Sequence, residues 1–238
     1  MPTFWENIIV DGSEMQVYSS LPSGDGEFPA VVIAHPASGV SDFTQSIADK
    51  LAESGYVAVA MDLFHRVTPD MVSDGTPRNS YLDDSQIIQD VDATLSWMQS
   101  FPTIDSDRIG ITGFCMGGRI AWLAAASMDA FKVVIPYYGG NLWVTRGNGA
   151  NTPFDLANSI ECPMLFHFGE IDENPSQDDM RKLDAELTRL GKLHEFYTYP
   201  GADHAFMDFA QPNRYNKRAS DMSWPRTIEF LDRYLKSS

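Results

Sequence analysis

The sequence predicts an α/β fold, a mostly parallel central sheet with helices on both faces, formed as one domain over residues 1–238. Three observations carry this. Strand-like and helix-like stretches alternate along the chain, the order that gives parallel pairing through helical crossovers. Ala30-Val31-Val32-Ile33-Ala34 is a continuous apolar run, as expected of a strand buried on both faces. A second apolar run, Ile109-Gly110-Ile111-Thr112, leads through Gly113-Phe114-Cys115-Met116-Gly117-Gly118 into the Ala/Leu-rich stretch 119–126, a sharp strand-to-helix turn.

The elements follow in order. Phe4 to Val10 and Met15 to Ser20 flank Asp11-Gly12, a hairpin signal. The Ala30 strand comes next. Phe43 to Ser54 is amphipathic, with Ile47, Ala48 and Leu51 on one face, and Gly55 closes it. Tyr56 to Met61 is a strand, and Asp83 to Phe101 a helix with Ile87, Val91, Leu95 and Met98 at helical spacing. After the strand and helix around Cys115, Val133 to Tyr138 and Met164 to Phe168 are strands. Gln177 to Leu190 is a helix ended by Gly191, Glu195 to Tyr199 a strand, and Trp224 to Leu235 the last helix. Two segments, His65 to Tyr81 and Asn141 to Asn158, are rich in Gly, Pro, Asn and Thr without a clear period. They are candidate pocket walls, because loops that leave strand C-termini build the sites of such folds.

Composition narrows the function. Of 238 residues 43% are hydrophobic and 12% aromatic, enough for a sizeable core without staples. A net charge of -16 argues against nucleic acid and anionic membranes as partners. The two cysteines, Cys115 and Cys162, do not make a disulfide scaffold, and no zinc-type Cys/His spacing occurs. Without a signal-peptide pattern or a membrane-length apolar stretch, the expected setting is cytoplasmic, with free thiols, as a monomer or homodimer.

G-x-Cys-x-G between a strand and a helix reads as a nucleophile elbow. At a helix N-terminus the Cys115 thiol faces the positive end of the macrodipole, which favours thiolate. A buried structural cysteine beside small residues is the competing reading. The chemistry also needs a base and a group that orients it. Past the strand Met164 to Phe168 lie Glu170, Asp172 and Glu173; Asp172, at the turn before Pro175, is preferred and the two glutamates remain alternatives. Past the strand Glu195 to Tyr199 lies His204. The order nucleophile, acid, histidine is that of elbow hydrolases. His167 and His194, in or at the start of strands, read as structural, and His65 lies in an irregular loop. An oxyanion hole would use the Met116 N–H and one from His35-Pro36-Ala37-Ser38-Gly39: Ala37, with Ser38 the alternative.

With these residues in view, the chain resembles the dienelactone hydrolase family of the α/β-hydrolase superfamily. The resemblance rests on the Cys115 elbow, on Asp172 after Phe166-His167-Phe168-Gly169, and on Gly201-Ala202-Asp203-His204-Ala205-Phe206. Asp62-Leu63-Phe64 and Tyr137-Tyr138-Gly139-Gly140 also look like family signatures. The resemblance implies an α/β-hydrolase fold and a small-molecule ester or lactone as substrate. It also implies a Cys115–His204–Asp172 triad acting through an acyl-enzyme, with no metal and no cofactor. Two positions depart from the family pattern. Pro36 stands where the bacterial enzymes carry a glutamate that helps switch the thiol to thiolate, and Asp208 where they carry a carboxylate-binding arginine. The expected activity is therefore cysteine-dependent ester or lactone hydrolysis. True dienelactone hydrolysis is the first alternative and a non-catalytic binding protein the second. Pro36, Ser38, Phe64, Arg66, Tyr81, Tyr138 and Trp143 are the expected substrate contacts.

Overall fold

The structure, a computed structural model, describes residues 1–236. Eight strands form one sheet: β1 (Thr3–Val10), β2 (Ser13–Ser20), β3 (Phe28–Ala34), β4 (Val57–Met61), β5 (Ile104–Phe114), β6 (Phe131–Tyr137), β7 (Met164–Gly169) and β8 (His194–Tyr199). Their order across the sheet is β1-β2-β4-β3-β5-β6-β7-β8. The β1–β2 and β2–β4 pairs are antiparallel and all others parallel. The first two strands join at Asp11 and Gly12, both with positive φ, the backbone that a two-residue hairpin turn requires.

Among the described residues five α-helices cover the sheet: α1 (Asp42–Glu53), α2 (Asp84–Met98), α3 (Met116–Ser127), α4 (Gln177–Arg189) and α5 (Lys217–Leu235). The period-2 geometry of the strands divides each apolar run between two cores. Ala30, Val32 and Ala34 of β3 join the core under α2, α3 and α4, where Val91, Trp122 and Leu183 are fully buried. Val31 and Ile33 join the core under α1 and α5, with Leu51 and Leu231. Each such aliphatic side chain contributes about 1.5–3 kcal/mol by leaving water, so a one-residue slip of β3 would exchange its two faces.

The boundaries depart from expectation in two places. β5 starts at Ile104 rather than Ile109, because it meets β3 at Phe28 and resumes the ladder past an irregularity. The last helix starts at Lys217 rather than Trp224. Asn216 caps it by accepting from the Ala219 N–H at 3.1 Å, and the helix continues past Pro225. Pro225 lies on the exposed face, where the Asp221 carbonyl that loses its helical partner can be hydrated. The two irregular segments carry short 3-10 turns at Pro69–Val72, Arg78–Tyr81 and Phe154–Ser159. Among the described residues no helix is long and apolar enough to cross a membrane.

β3 lies between β4 and β5, so its following connection runs to one side and the next returns past it. The C-terminal ends of β3 and β5 therefore flank a switch point, where α/β sheets open a crevice. A buried ion pair braces the rim. Arg119 of α3 meets Asp84 of α2 through two hydrogen bonds, 2.6 and 2.9 Å, and its guanidinium also donates to the Asn141 and Val144 carbonyls. Arg119 is 1% exposed, so Asp84→Ala leaves a buried cation without its counter-charge. The expected loss is about 3–5 kcal/mol in urea denaturation. A loss below about 1 kcal/mol would mean that solvent screens the pair.

Candidate active site

Cys115 connects β5 to α3 with φ 57° and ψ -119°, a backbone that a side-chain-bearing residue rarely adopts. The surrounding backbone leaves no alternative. A Cβ on Gly113 would lie 1.9 Å from the Gly117 carbonyl oxygen, and one on Gly117 would lie 1.9 Å from that of Ala34. Strand β3, strand β5 and the first turn of α3 thus meet in direct backbone contact, which only glycine permits. Other left-handed residues gather here: Tyr138, Asn141 and Ala205 have φ of 39°, 56° and 61°, and each lines a cavity that Cys115 also lines.

The structure brings Cys115, His204 and Asp172 together from the ends of β5, β8 and β7. A carboxylate can only accept, so His204 Nδ1–H donates to Asp172 Oδ2, at 2.9 Å. That leaves the other ring nitrogen for Cys115, which lines two cavities together with His204. The Asp172 side chain is 1% exposed and its second oxygen accepts the Asn174 N–H at 2.8 Å. Burial pushes the Cys115 thiol up. The hydrogen bond and charge of His204 and the Met116 and Ala37 N–H groups outweigh burial and hold it below the usual thiol range. For His204, burial works against the cation, but Asp172 and Cys115 together raise it to about 10. Both shifts run in the direction of a thiolate–imidazolium pair.

Three cavities open around this pair, and His204 lines all of them. The largest, about 490 Å³, reaches Asp172 and Arg214 but not the thiol. Two smaller ones, about 150 and 80 Å³, reach Cys115 and are the relevant ones for attack at sulfur. The first includes Pro36, Ala37, Ser38, Tyr138 and Asp208. The second includes Met116, Arg119, Arg146 and Asn174.

Other expected contacts lie elsewhere. Phe64 is 3% exposed, packed between the His35 ring and the Arg78 guanidinium, and is a core residue rather than a pocket wall. Arg66 is held by Asp90 at 2.7 Å and lines a separate cleft with Tyr81, whose hydroxyl donates to the Met71 carbonyl. Trp143 stacks on Phe154. None of these four lines either cavity at Cys115. Each is drawn off by a nearer partner, which sequence position alone does not reveal. Of the alternative acids, Glu170 accepts the Gly201 N–H, away from the imidazole. His65 bonds Asp90, His194 bonds Asp184, and His167 is enclosed by Tyr199 and Thr227.

Arg119 and Arg146 were not anticipated. A cation in the otherwise apolar 116–126 stretch was the available signal for Arg119. Nothing local marked Arg146, whose Nη1 donates to the Asn79 carbonyl at 2.9 Å across the cleft.

Residues 15–235 match the family described as "Dienelactone hydrolase family". The chain belongs to the dienelactone hydrolase family. It is a hydrolase of the α/β-hydrolase fold. A Salmonella typhimurium relative named "putative carboxymethylenebutenolidase" is 31% identical over 237 residues, 94% of this chain and 84% of the relative. A Bradyrhizobium relative named "probable 2-oxo-3-(5-oxofuran-2-ylidene)propanoate lactonase" is 30% identical over 95% of this chain and 92% of its own. The crystal structure of a "putative dienelactone hydrolase" from Klebsiella pneumoniae superposes with a TM-score of 0.88 at 28% identity, covering 98% of this chain and 99% of that one.

The site electrostatics in this dienelactone hydrolase family member have a measurable consequence. Cys162, raised to about 11 mainly by burial, is an internal reference for Cys115. At about pH 7, iodoacetamide should alkylate Cys115 at least about tenfold faster than Cys162. Because the Cys115 pKa is lowered, its rate should fall only on acidification through that lowered value. His204→Ala should move the fall to higher pH. A Cys115 profile with an ordinary thiol midpoint would show a resting thiol instead of the ion pair.

Proposed function

We propose that the chain hydrolyses carboxylic esters or lactones with Cys115 as nucleophile, His204 as base and acid, and Asp172 as the group that orients His204. The observation that carries this is the His204–Asp172 hydrogen bond at 2.9 Å, with Cys115, Met116 and Ala37 lining one cavity together with His204. The thiolate attacks the carbonyl carbon and a C–S bond forms. The displaced π pair becomes an oxyanion that the Met116 and Ala37 N–H groups stabilise. Collapse breaks the C–O bond, and the leaving oxygen takes the proton from His204. In the thioester the sulfur is neutral, so His204 loses one of the two partners that raised its pKa and can accept a proton from water. Water attack and a second collapse release the acid and regenerate the thiolate. The side chains and backbone supply every step, so the reaction uses neither metal nor cofactor. A reactive free thiol suits a reducing compartment, and the cytoplasm is the setting we infer.

One observation favours a narrower substrate class. Asp208 stands where the resemblance expects a carboxylate-binding arginine. Its carboxylate is occupied by the Ala210 N–H at 3.0 Å and the Gln211 side chain at 2.7 Å. In the other cavity Arg146 lies beside Cys115 and forms no ion pair with a carboxylate side chain among the described residues. Esters or lactones that carry an acidic group fit this arrangement, in keeping with the names of the relatives.

An ester and lactone panel tests the main reading. Cys115→Ala should lower kcat/KM by at least about 10³-fold. Equal rates for the two proteins would sink the enzyme assignment to this site. Arg146→Gln should raise KM about tenfold for carboxylate-bearing esters and leave neutral esters within about twofold. A uniform change across both would rule out charge recognition by Arg146.

A further inference from the structure

His35 is fully buried, and its hydrogen bonds define its tautomer. Nδ1 lies 2.6 Å from the Pro36 carbonyl oxygen, which can only accept, so Nδ1 carries the proton. Nε2 receives the Leu63 N–H at 3.0 Å and must be unprotonated. The imidazole clamps the loop after β3 to the loop after β4, with Asp62 Oδ1 3.7 Å from Nε2 and the Phe64 ring packed against it at a centroid distance of 4.9 Å.

The clamped carbonyl belongs to the same peptide unit as the Ala37 N–H. That unit is trans, so its C=O and N–H point in opposite directions. Fixing the Pro36 oxygen toward His35 directs the Ala37 N–H the other way, and Ala37 lines both cavities at Cys115. The Gly39 N–H adds a second bond to the same oxygen at 3.0 Å.

We propose that His35 is a positioning residue that aims the Ala37 N–H at the developing oxyanion by holding the Pro36–Ala37 peptide. This rests on the reading of Cys115 as an acyl-transfer nucleophile. It adds a part that touches neither substrate nor sulfur. The clamp acts on a donor already in place, so no reorganisation accompanies the build-up of charge.

Two reactions of Cys115 separate the contributions. Acylation by p-nitrophenyl acetate passes through an oxyanion; alkylation by iodoacetamide needs the thiolate but forms none. His35→Leu should slow pre-steady-state acylation by about 10²-fold, the scale of losing one oxyanion donor. Its alkylation rate should fall much less, by no more than about tenfold, because His204 and the Met116 N–H still act on the thiol. His35→Asn, whose amide can donate to the Pro36 carbonyl, should recover about tenfold of the lost acylation rate. Circular dichroism and thermal unfolding establish that each variant is folded. If His35→Leu does not fold, His35→Gln takes its place, because its amide oxygen can accept the Leu63 N–H as Nε2 does. A folded variant that acylates within about threefold of wild type overturns the inference. So does one whose alkylation falls in parallel with acylation. A wild type whose acylation does not depend on Cys115 would remove the underlying reaction and overturn both readings.

Discussion

The turn at Cys115 is built on three backbones in contact. A Cβ on Gly117 would press on the Ala34 carbonyl, and one on Gly113 would press on Gly117 itself. This contact joins the ends of β3 and β5 to the start of α3, so the rest of the site inherits its geometry from it. The thiol is lifted into the crevice with an unfavourable φ, the Met116 N–H points outward at the helix start, and the loop carrying Ala37 is held alongside. The cost of such a backbone, of order 1–3 kcal/mol, is borne by the sheet cores around it.

Charge is distributed against the global trend. The chain carries a net charge of -16, yet the cleft at Cys115 is lined by Arg119, Arg146 and His204. Arg119 is neutralised by Asp84, so its role is to tie α2, α3 and the loop at 141–144 together. Arg146 contributes positive potential, as the start of α3 does. Pro36 stands at the position where the resemblance expects a glutamate, and it lines a cavity at Cys115. Buried histidines serve the scaffold: His35 clamps one loop, and His167 sits in a closed hydrogen-bond set with Tyr199 and Thr227.

The strand–helix alternation, the two-faced burial of β3 and the elbow were legible because they are local: a period of two, a period of 3.6, and glycines at fixed offsets from a cysteine. Cys115, Asp172 and His204 were legible as candidates for a related reason. Each follows the C-terminal end of a strand, and parallel strands bring those ends to one edge. The substrate-facing residues were not. Phe64, Arg66, Tyr81 and Trp143 stand in the right segments, but their side chains are engaged by His35 and Arg78, Asp90, Met71 and Phe154 respectively.

The sequence by itself thus determined the α/β class, the position of the sharp turn and the three candidate side chains of the proposed triad, since each depends on short-range pattern and chain order. The tertiary structure alone decided which loop residues face the thiol, and that Arg146 stands beside it while the Asp208 carboxylate is occupied. It also decided that the His35 imidazole faces the Pro36 carbonyl. Those outcomes depend on which partner lies closest in space, and pairs such as Arg146 with Asn79 and Arg119 with Asp84 are set by packing between elements far apart in the chain.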